Sequence, residues 1–140
     1  MSVLQLAVFI ENKPGRLFEA TKILGDAGVN IRGFSISDTE DYGVLRILVN
    51  DNVKAREALR NNGFMVHESQ FTVISIDDVP GGLSQTLTSL AALKINVEYM
   101  YIIMNSYIAI GVESTKKELA EKALIDLGVK VLSDDDMAKL

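Results

Sequence analysis

The stretch ENKPGRLFEATKILGDAGVNI (residues 11–31) returns as DDVPGGLSQTLTSLAALKINV (residues 77–97). One offset of 66 carries Pro14 onto Pro80, Gly15 onto Gly81, Leu17 onto Leu83 and Leu24 onto Leu90. It also carries Ala27 onto Leu93, Val29 onto Ile95, Asn30 onto Asn96 and Ile31 onto Val97. Chance similarity rarely holds register through a turn, a helix and a second turn. A period this long, used only twice, is not a solenoid repeat. It reads as two copies of one small domain, residues 1–69 and 70–140.

Each copy parses in the same way. Residues 3–10 are rich in Val, Leu, Phe and Ile, which suits a strand. Pro14 fits the first turn of a helix, where a missing N–H costs nothing. Leu17, Ala20, Leu24 and Ala27 follow at helical spacing, and Gly28 ends the helix. Residues 30–37 and 43–49 form a hairpin across a polar turn at 38–42. Residues 53–62 give a second helix with Gly63 past its end, and residues 64–68 a short fourth strand. In the second copy the strands are expected at 71–76, 96–104, 107–112 and 129–132, and the helices at 80–93 and 116–127. The fold class is therefore α+β: two tandem ferredoxin-like βαββαβ units with antiparallel sheets. Almost nothing remains for a linker, so strand four of the first unit runs into strand one of the second near Ser69-Gln70. At roughly 65 to 70 residues neither unit alone buries a generous core.

Composition limits the function. Hydrophobic residues make up 48% of the 140 and charged residues 24%, as in a globular protein. Fourteen Lys plus Arg against 19 Asp plus Glu give a net charge of -5, the wrong sign for a phosphate-rich partner. The absence of Cys excludes disulfides and thiolate metal sites. The apolar residues 2–10 lack a preceding basic segment and are too short to span a bilayer. A soluble, cytoplasmic protein without membrane or nucleic-acid contacts is the expectation.

A strand ending in a polar turn, then Pro-Gly-x-Leu, a helix and Gly-Val-Asn-Ile, all within a βαββαβ unit, resembles the ACT domain. This small regulatory module binds amino acids in metabolic enzymes and in some free-standing regulators. Asn12-Lys13-Pro14-Gly15-Arg16-Leu17 and Gly28-Val29-Asn30-Ile31 carry the resemblance in the first copy. Asp78-Val79-Pro80-Gly81-Gly82-Leu83 and Ile95-Asn96-Val97 carry it in the second. The resemblance covers nearly the whole chain. It implies a ligand held where two ACT units meet. Asn12 to Leu17 would then face Asn96 and Val97, and Asp78 to Leu83 would face Asn30 and Ile31, within one chain or between two.

The turn has its own chemistry. A helix start presents unpaired N–H groups and partial positive charge, suited to a carboxylate. Gly15 and Gly81 let a ligand approach the backbone. Asn12 offers a donor and an acceptor, able to serve a carboxylate and an ammonium together. The bland alternative is that Pro-Gly only shapes the turn and Asn12 only caps. The two turns are expected to be unequal. Glu11, Lys13 and Arg16 sum to +1, whereas Asp77 and Asp78 sum to -2. Val29, Ile31, Val97, Met100 and Ile102 suggest an apolar side-chain pocket, hence a branched-chain, methionine-like or aromatic amino acid.

Other candidates are weaker. His67 stands alone and reads as a surface residue. Asp134-Asp135-Asp136 reads as the start of a short helix capped by Ser133 or one of the acids. Asp77-Asp78, taken as strand neighbours, would point to opposite faces and form no catalytic pair. An RNA-recognition domain of the same β-α-β-β-α-β order needs aromatics on its central strands, and residues 43–49 have none. No catalytic residues, cofactor or metal are expected. The chain reads as a non-catalytic sensor of a small amino acid, a homodimer with a metabolic enzyme as possible partner. The alternative is a regulatory subunit that controls an amino-acid biosynthetic enzyme by sheet-edge pairing, without a ligand of its own.

Overall fold

The computed structural model describes residues 3–38 and 41–140. Thr39 and Glu40, inside the turn expected at 38–42, lie outside the described residues. The chain divides into two compact units, one over Leu4–Ser69 and one over Gln70–Leu140, with which Val3 clusters.

In the first unit β1 (Val3–Glu11) leads to α1 (Arg16–Asp26), then β2 (Ile31–Asp38), β3 (Tyr42–Val49), α2 (Asn52–Asn61) and β4 (Met65–Ser75). The strand order is β2-β3-β1-β4, with β2 at the edge. β1 and β2 both pair antiparallel with β3, through Leu6↔Ile47 and Val8↔Leu45 on one side and Phe34↔Ile47 and Ile36↔Leu45 on the other. Alternation along these strands sends Leu6, Val8, Ile10, Leu45 and Ile47 to one face. There they pack with Ala20 and Leu24 of α1 and Ala55 and Leu59 of α2, the inward stripe of each helix. Phe64 and Val66 complete this core.

The second unit repeats the plan with α3 (Gly82–Ala92), β5 (Val97–Ile102), β6 (Ile108–Val112), α4 (Lys117–Asp126) and β7 (Lys130–Leu132). Its order is β5-β6-β4-β7, so β4 serves as last strand of the first unit and first strand of the second. Ile74, Ile108, Ile110 and Val131 pack with Leu90, Ile95, Ala120 and Leu124. Both units are α+β with antiparallel sheets, as the sequence implies. The bulge is duplicated too: register shifts between Ile31 and Gly33, and between Val97 and Tyr99.

Several details differ from expectation. Pro14 and Pro80 stand outside their helices. Gly15 (φ 87°, ψ -12°) and Gly81 (φ 82°, ψ -5°) are left-handed N-caps, so neither helix can extend back through them. Each Pro-Gly instead occupies the centre of a type II turn. Arg16 N–H donates to the Lys13 carbonyl at 3.3 Å, and Gly82 N–H to Val79 at 3.0 Å. Asp77 and Asp78 fall in the connection after β4, not on a strand. The strand expected at 96–104 stops at Ile102, and Met104–Ser106 forms a 3-10 turn.

The helix C-termini also carry a surprise. Gly28, Gly63 and Gly128 adopt positive φ past α1, α2 and α4. The next N–H then reaches back to the carbonyl five residues earlier, as Val29 does to Leu24 at 2.9 Å. After α3 the same post is held by Lys94 (φ 57°), and Ile95 N–H reaches Leu90 at 2.9 Å. The last helix, α5 (Asp134–Ala138), starts at Ser133. Its hydroxyl accepts from Asp136 N–H at 3.1 Å while Asp136 accepts from Ser133 N–H at 2.9 Å. This is a reciprocal capping box.

Candidate functional site

The first turn is exposed. Asn12 N–H donates to the Asp41 carbonyl at 3.0 Å, which ties the turn to the start of β3. No side chain caps α1, so its first N–H groups have no side-chain partner at the helix start. A small cavity of about 290 Å³ opens beside Glu11, Asn12 and Lys13 and is bounded by Ile10, Leu17, Ile36 and Gly43. The Lys13 ammonium lies 3.0 Å from Glu11. Its hydrogen bond and charge hold the Glu11 carboxyl below the usual carboxylate range.

Leu17 and Ile36 also border a second cavity of about 490 Å³, between α1 and the edge strand β2. Leu17, Phe18 and Thr21 line one wall, Ile31, Phe34 and Ile36 the other, and Leu45 and Ile47 the floor. Phe18 is 68% exposed and Phe34 64%, so large apolar rings stand open at its mouth. Together the two cavities form one trough, polar at the turn and apolar along the helix.

The expected site residues scatter within each unit. Asn30 and Ile31 lie past the far end of the 11-residue α1, about 16 Å from the turn at 1.5 Å per residue. Asn30 N–H is bonded to the Asn50 side chain at 2.9 Å. Only Ile31 joins Leu17 in the apolar trough. Arg16 turns away from the cavity: its guanidinium lies 4.4 Å over the Phe64 ring and 2.8 Å from Glu19. Both cations of the first turn thus have acidic partners, which removes the net +1 read from Glu11, Lys13 and Arg16 alone.

The expected apolar pocket set is mostly structural. Val29 is a core residue, and Val97 and Met100 pack against the second core, because they face the helices. Ile102 is exposed. Phe18, Phe34 and Ile36, which do line the trough, escaped the sequence reading. Their signal was available: apolar side chains on the outer flank of a helix and an edge strand of the same unit.

In the second unit Val79, Gly81 and Leu83 border an open groove along α3, with Ser84 at the post of Phe18. Asp78, Pro80, Asn96 and Val97 do not line it. His67 is exposed on β4. Among the described residues no group of three or more His, Asp or Glu is placed to hold a metal ion. Among them, too, no helix is long and apolar enough to cross a membrane.

Two βαββαβ units, each opening on a Pro-Gly turn, define an ACT pair. The chain belongs to that family: the family model for an ACT domain pair matches residues 1–140. Protein BT0572 from Bacteroides thetaiotaomicron is 34% identical, with 100% of this chain and 98% of that chain covered and a TM-score of 0.89. The ligand-free regulatory subunit of aspartate kinase from Thermus thermophilus shares the fold at 14% identity. It covers 89% of this chain and 91% of that one, with a TM-score of 0.64. Clostridium acetobutylicum aspartate kinase does so at 16% identity over 90% of this chain and 33% of its own, with a TM-score of 0.57. No curated protein matches the sequence.

Proposed function

We propose that this ACT pair is a non-catalytic sensor of a free amino acid with a sizeable apolar side chain, bound at the first unit's turn. The observation that carries this reading is the trough: a polar mouth at Glu11, Asn12 and Lys13 that continues past Leu17 and Ile36 into an apolar cavity. An amino acid has the same division, with charged groups on one carbon and an apolar tail. The helix N–H groups suit its carboxylate, and Phe18 and Phe34 suit its tail. Ligand binding would favour one pairing of ACT units, within the chain or between two copies, and a metabolic enzyme would read that state. Asn30, Asn96, Val97 and the 78–83 turn would contribute across such a pairing.

A thermal-shift screen of the twenty amino acids tests the reading. Leu, Ile, Met or Phe should raise the Tm of the wild type. Asn12→Ala and Phe34→Ser, each folded, should abolish the rise. Stabilisation by Ser, Asp or Lys alone would refute the apolar tail.

The edge position of β2 favours a second reading, a module that pairs its open strand with an enzyme and needs no ligand. It predicts no Tm shift with any amino acid.

A further inference from the structure

Beside the start of α1 the first unit seats a guanidinium. Arg16 lies 4.4 Å over the Phe64 ring and 2.8 Å from the Glu19 carboxylate. The corresponding posts in the second unit are Gly82, Val129 and Gln85. An arginine cannot return at the first of these, since a Cβ on Gly82 would lie 2.4 Å from the Asp77 carbonyl oxygen. A cavity of about 630 Å³ stands there instead, between the 77–82 turn, α3 and the connection from α4 to β7. It is large enough to take a whole arginine side chain, being within the roughly 300–1,000 Å³ of small-molecule sites.

The lining keeps the acceptors of a cation site. Asp77 stands at the post of Glu11, but Val79 replaces Lys13, and the Asp77 carboxylate has no ion-pair partner among the described residues. Gln85 adds an amide oxygen and Ser75 a hydroxyl. Thr86, buried, donates its hydroxyl proton to the Gly82 carbonyl at 2.9 Å and keeps its oxygen as an acceptor. Leu127 and Val129 supply apolar wall. Lys130 also borders the cavity, but its charge is already matched: together with the hydrogen bonds from Ser133 it holds the Asp136 carboxyl below the usual carboxylate range. Several acceptors spread among apolar groups suit a planar fork of five N–H donors better than the compact, strongly hydrated head of a lysine. Asp78 beside the turn and the net charge of -5 favour approach by a basic surface.

We propose that this cavity is a docking socket for an arginine side chain presented by a partner protein, with the guanidinium against Asp77 and Gln85 and its methylenes along Leu127 and Val129. The partner supplies in trans the group that Arg16 supplies in cis to the first unit. The socket uses none of the first-unit trough and needs neither an α-ammonium nor an α-carboxylate, so it stands apart from the amino-acid reading.

The test is NMR titration of the full chain with N-acetyl-arginine methylamide, a capped residue without α charges. The amide resonances of Gln85, Thr86 and Gly128 should shift together as it binds. Capped citrulline, of the same shape without the charge, and capped lysine should each bind about tenfold or more weakly. Asp77→Asn should weaken the capped arginine about tenfold, through loss of a charge-assisted contact. Gln85→Glu, which restores the acid found at the post of Glu19, should tighten it several-fold, a gain that a folding defect cannot mimic. Equal binding of the three capped residues, or no change in either variant, would overturn the proposal. So would free arginine binding far more tightly than the capped form, since that result assigns the cavity to a small molecule. Asn12→Ala and Phe34→Ser should leave the titration unchanged. A flat titration with capped arginine therefore refutes the socket and spares the first-unit reading, whereas a failed amino-acid screen refutes that reading and spares the socket.

Discussion

At four corresponding posts the first unit carries the larger side chain and the second the smaller. Phe18 corresponds to Ser84, Phe34 to Met100, Arg16 to Gly82 and Phe64 to Val129. The backbone devices stay constant: the Pro-Gly turn, the strand bulge and the left-handed post after each main helix. So do the core posts, with Val8 and Ile74, Leu24 and Leu90, Leu59 and Leu124, and Val66 and Val131 in matching places. Turn chemistry and an inward aliphatic stripe specify this fold, which leaves the flanks of the helices free to acquire different cavities.

The sharpest way to break the comparison is to truncate the paired posts. Phe64→Ala should cost about 3–5 kcal/mol, through a cavity and the lost contact with Arg16. Val129→Ala should cost only about 1–2 kcal/mol, at roughly 0.8 kcal/mol per buried methylene. Equal costs in chemical denaturation would mean that the second unit depends as much on that corner as the first.

A second contrast concerns ion pairs. Lys117 donates to Glu121 at 2.5 Å and Thr72 donates to the same carboxylate at 2.9 Å, all three buried under α4. The pair of Arg56 and Glu68 in the first unit is more than a quarter exposed on both sides. Glu121→Leu should therefore destabilise by about 3 kcal/mol, and adding Lys117→Met should restore most of it, since an apolar pair no longer strands a buried charge. Arg56→Met should cost less than about 1 kcal/mol. The same denaturation series reads all three.

Lys94 allows a reciprocal exchange. Lys94→Gly should stabilise by about 1 kcal/mol, because glycine enters the left-handed region without a Cβ penalty, and Gly28→Lys should destabilise by a similar amount. Melting curves of the two variants and their double would show the near-cancellation.

The smallest effect is a pH dependence. Hydrogen bonds from Ser133 hold the Asp136 carboxyl below the usual carboxylate range. Its contribution to α5 is whole above the unfolded-chain value near about 4 and fades as pH falls through the lower folded value. The Met137 amide resonance should follow that titration, and Asp136→Asn should abolish it.

The repeat was legible because its devices use distinctive residues: Pro, Gly and Asn in one register, with aliphatics at helical spacing. The unit order and the near absence of a linker followed from the same reading, while the cap of α5 was narrowed only to Ser133 or one of the acids after it. Lys94 was not legible, since no residue type other than glycine announces a left-handed post. Pro14 was misplaced by a turn because proline suits both the first helical position and the second place of a type II turn. The stacking of Arg16 on Phe64 was not legible, because the two are distant in sequence.

The shared bulge makes the history of the two copies countable. Up to β5 the offset is 66, as Ile36 and Ile102 show. Across the hairpin it falls to 63, since Leu45 faces Ile36 where Ile108 faces Ile102. It recovers to 65 at Gly63 and Gly128. The second hairpin is thus three residues shorter than the first, and two of the three are made up before α4. The hairpin change shortens the strand ends, since β2 runs on to Asp38 where β5 stops at Ile102, and the second change sits in the connection before α2 and α4. The hairpins of the two copies are thus natural points of recombination, and a chain carrying either hairpin in either copy should still fold.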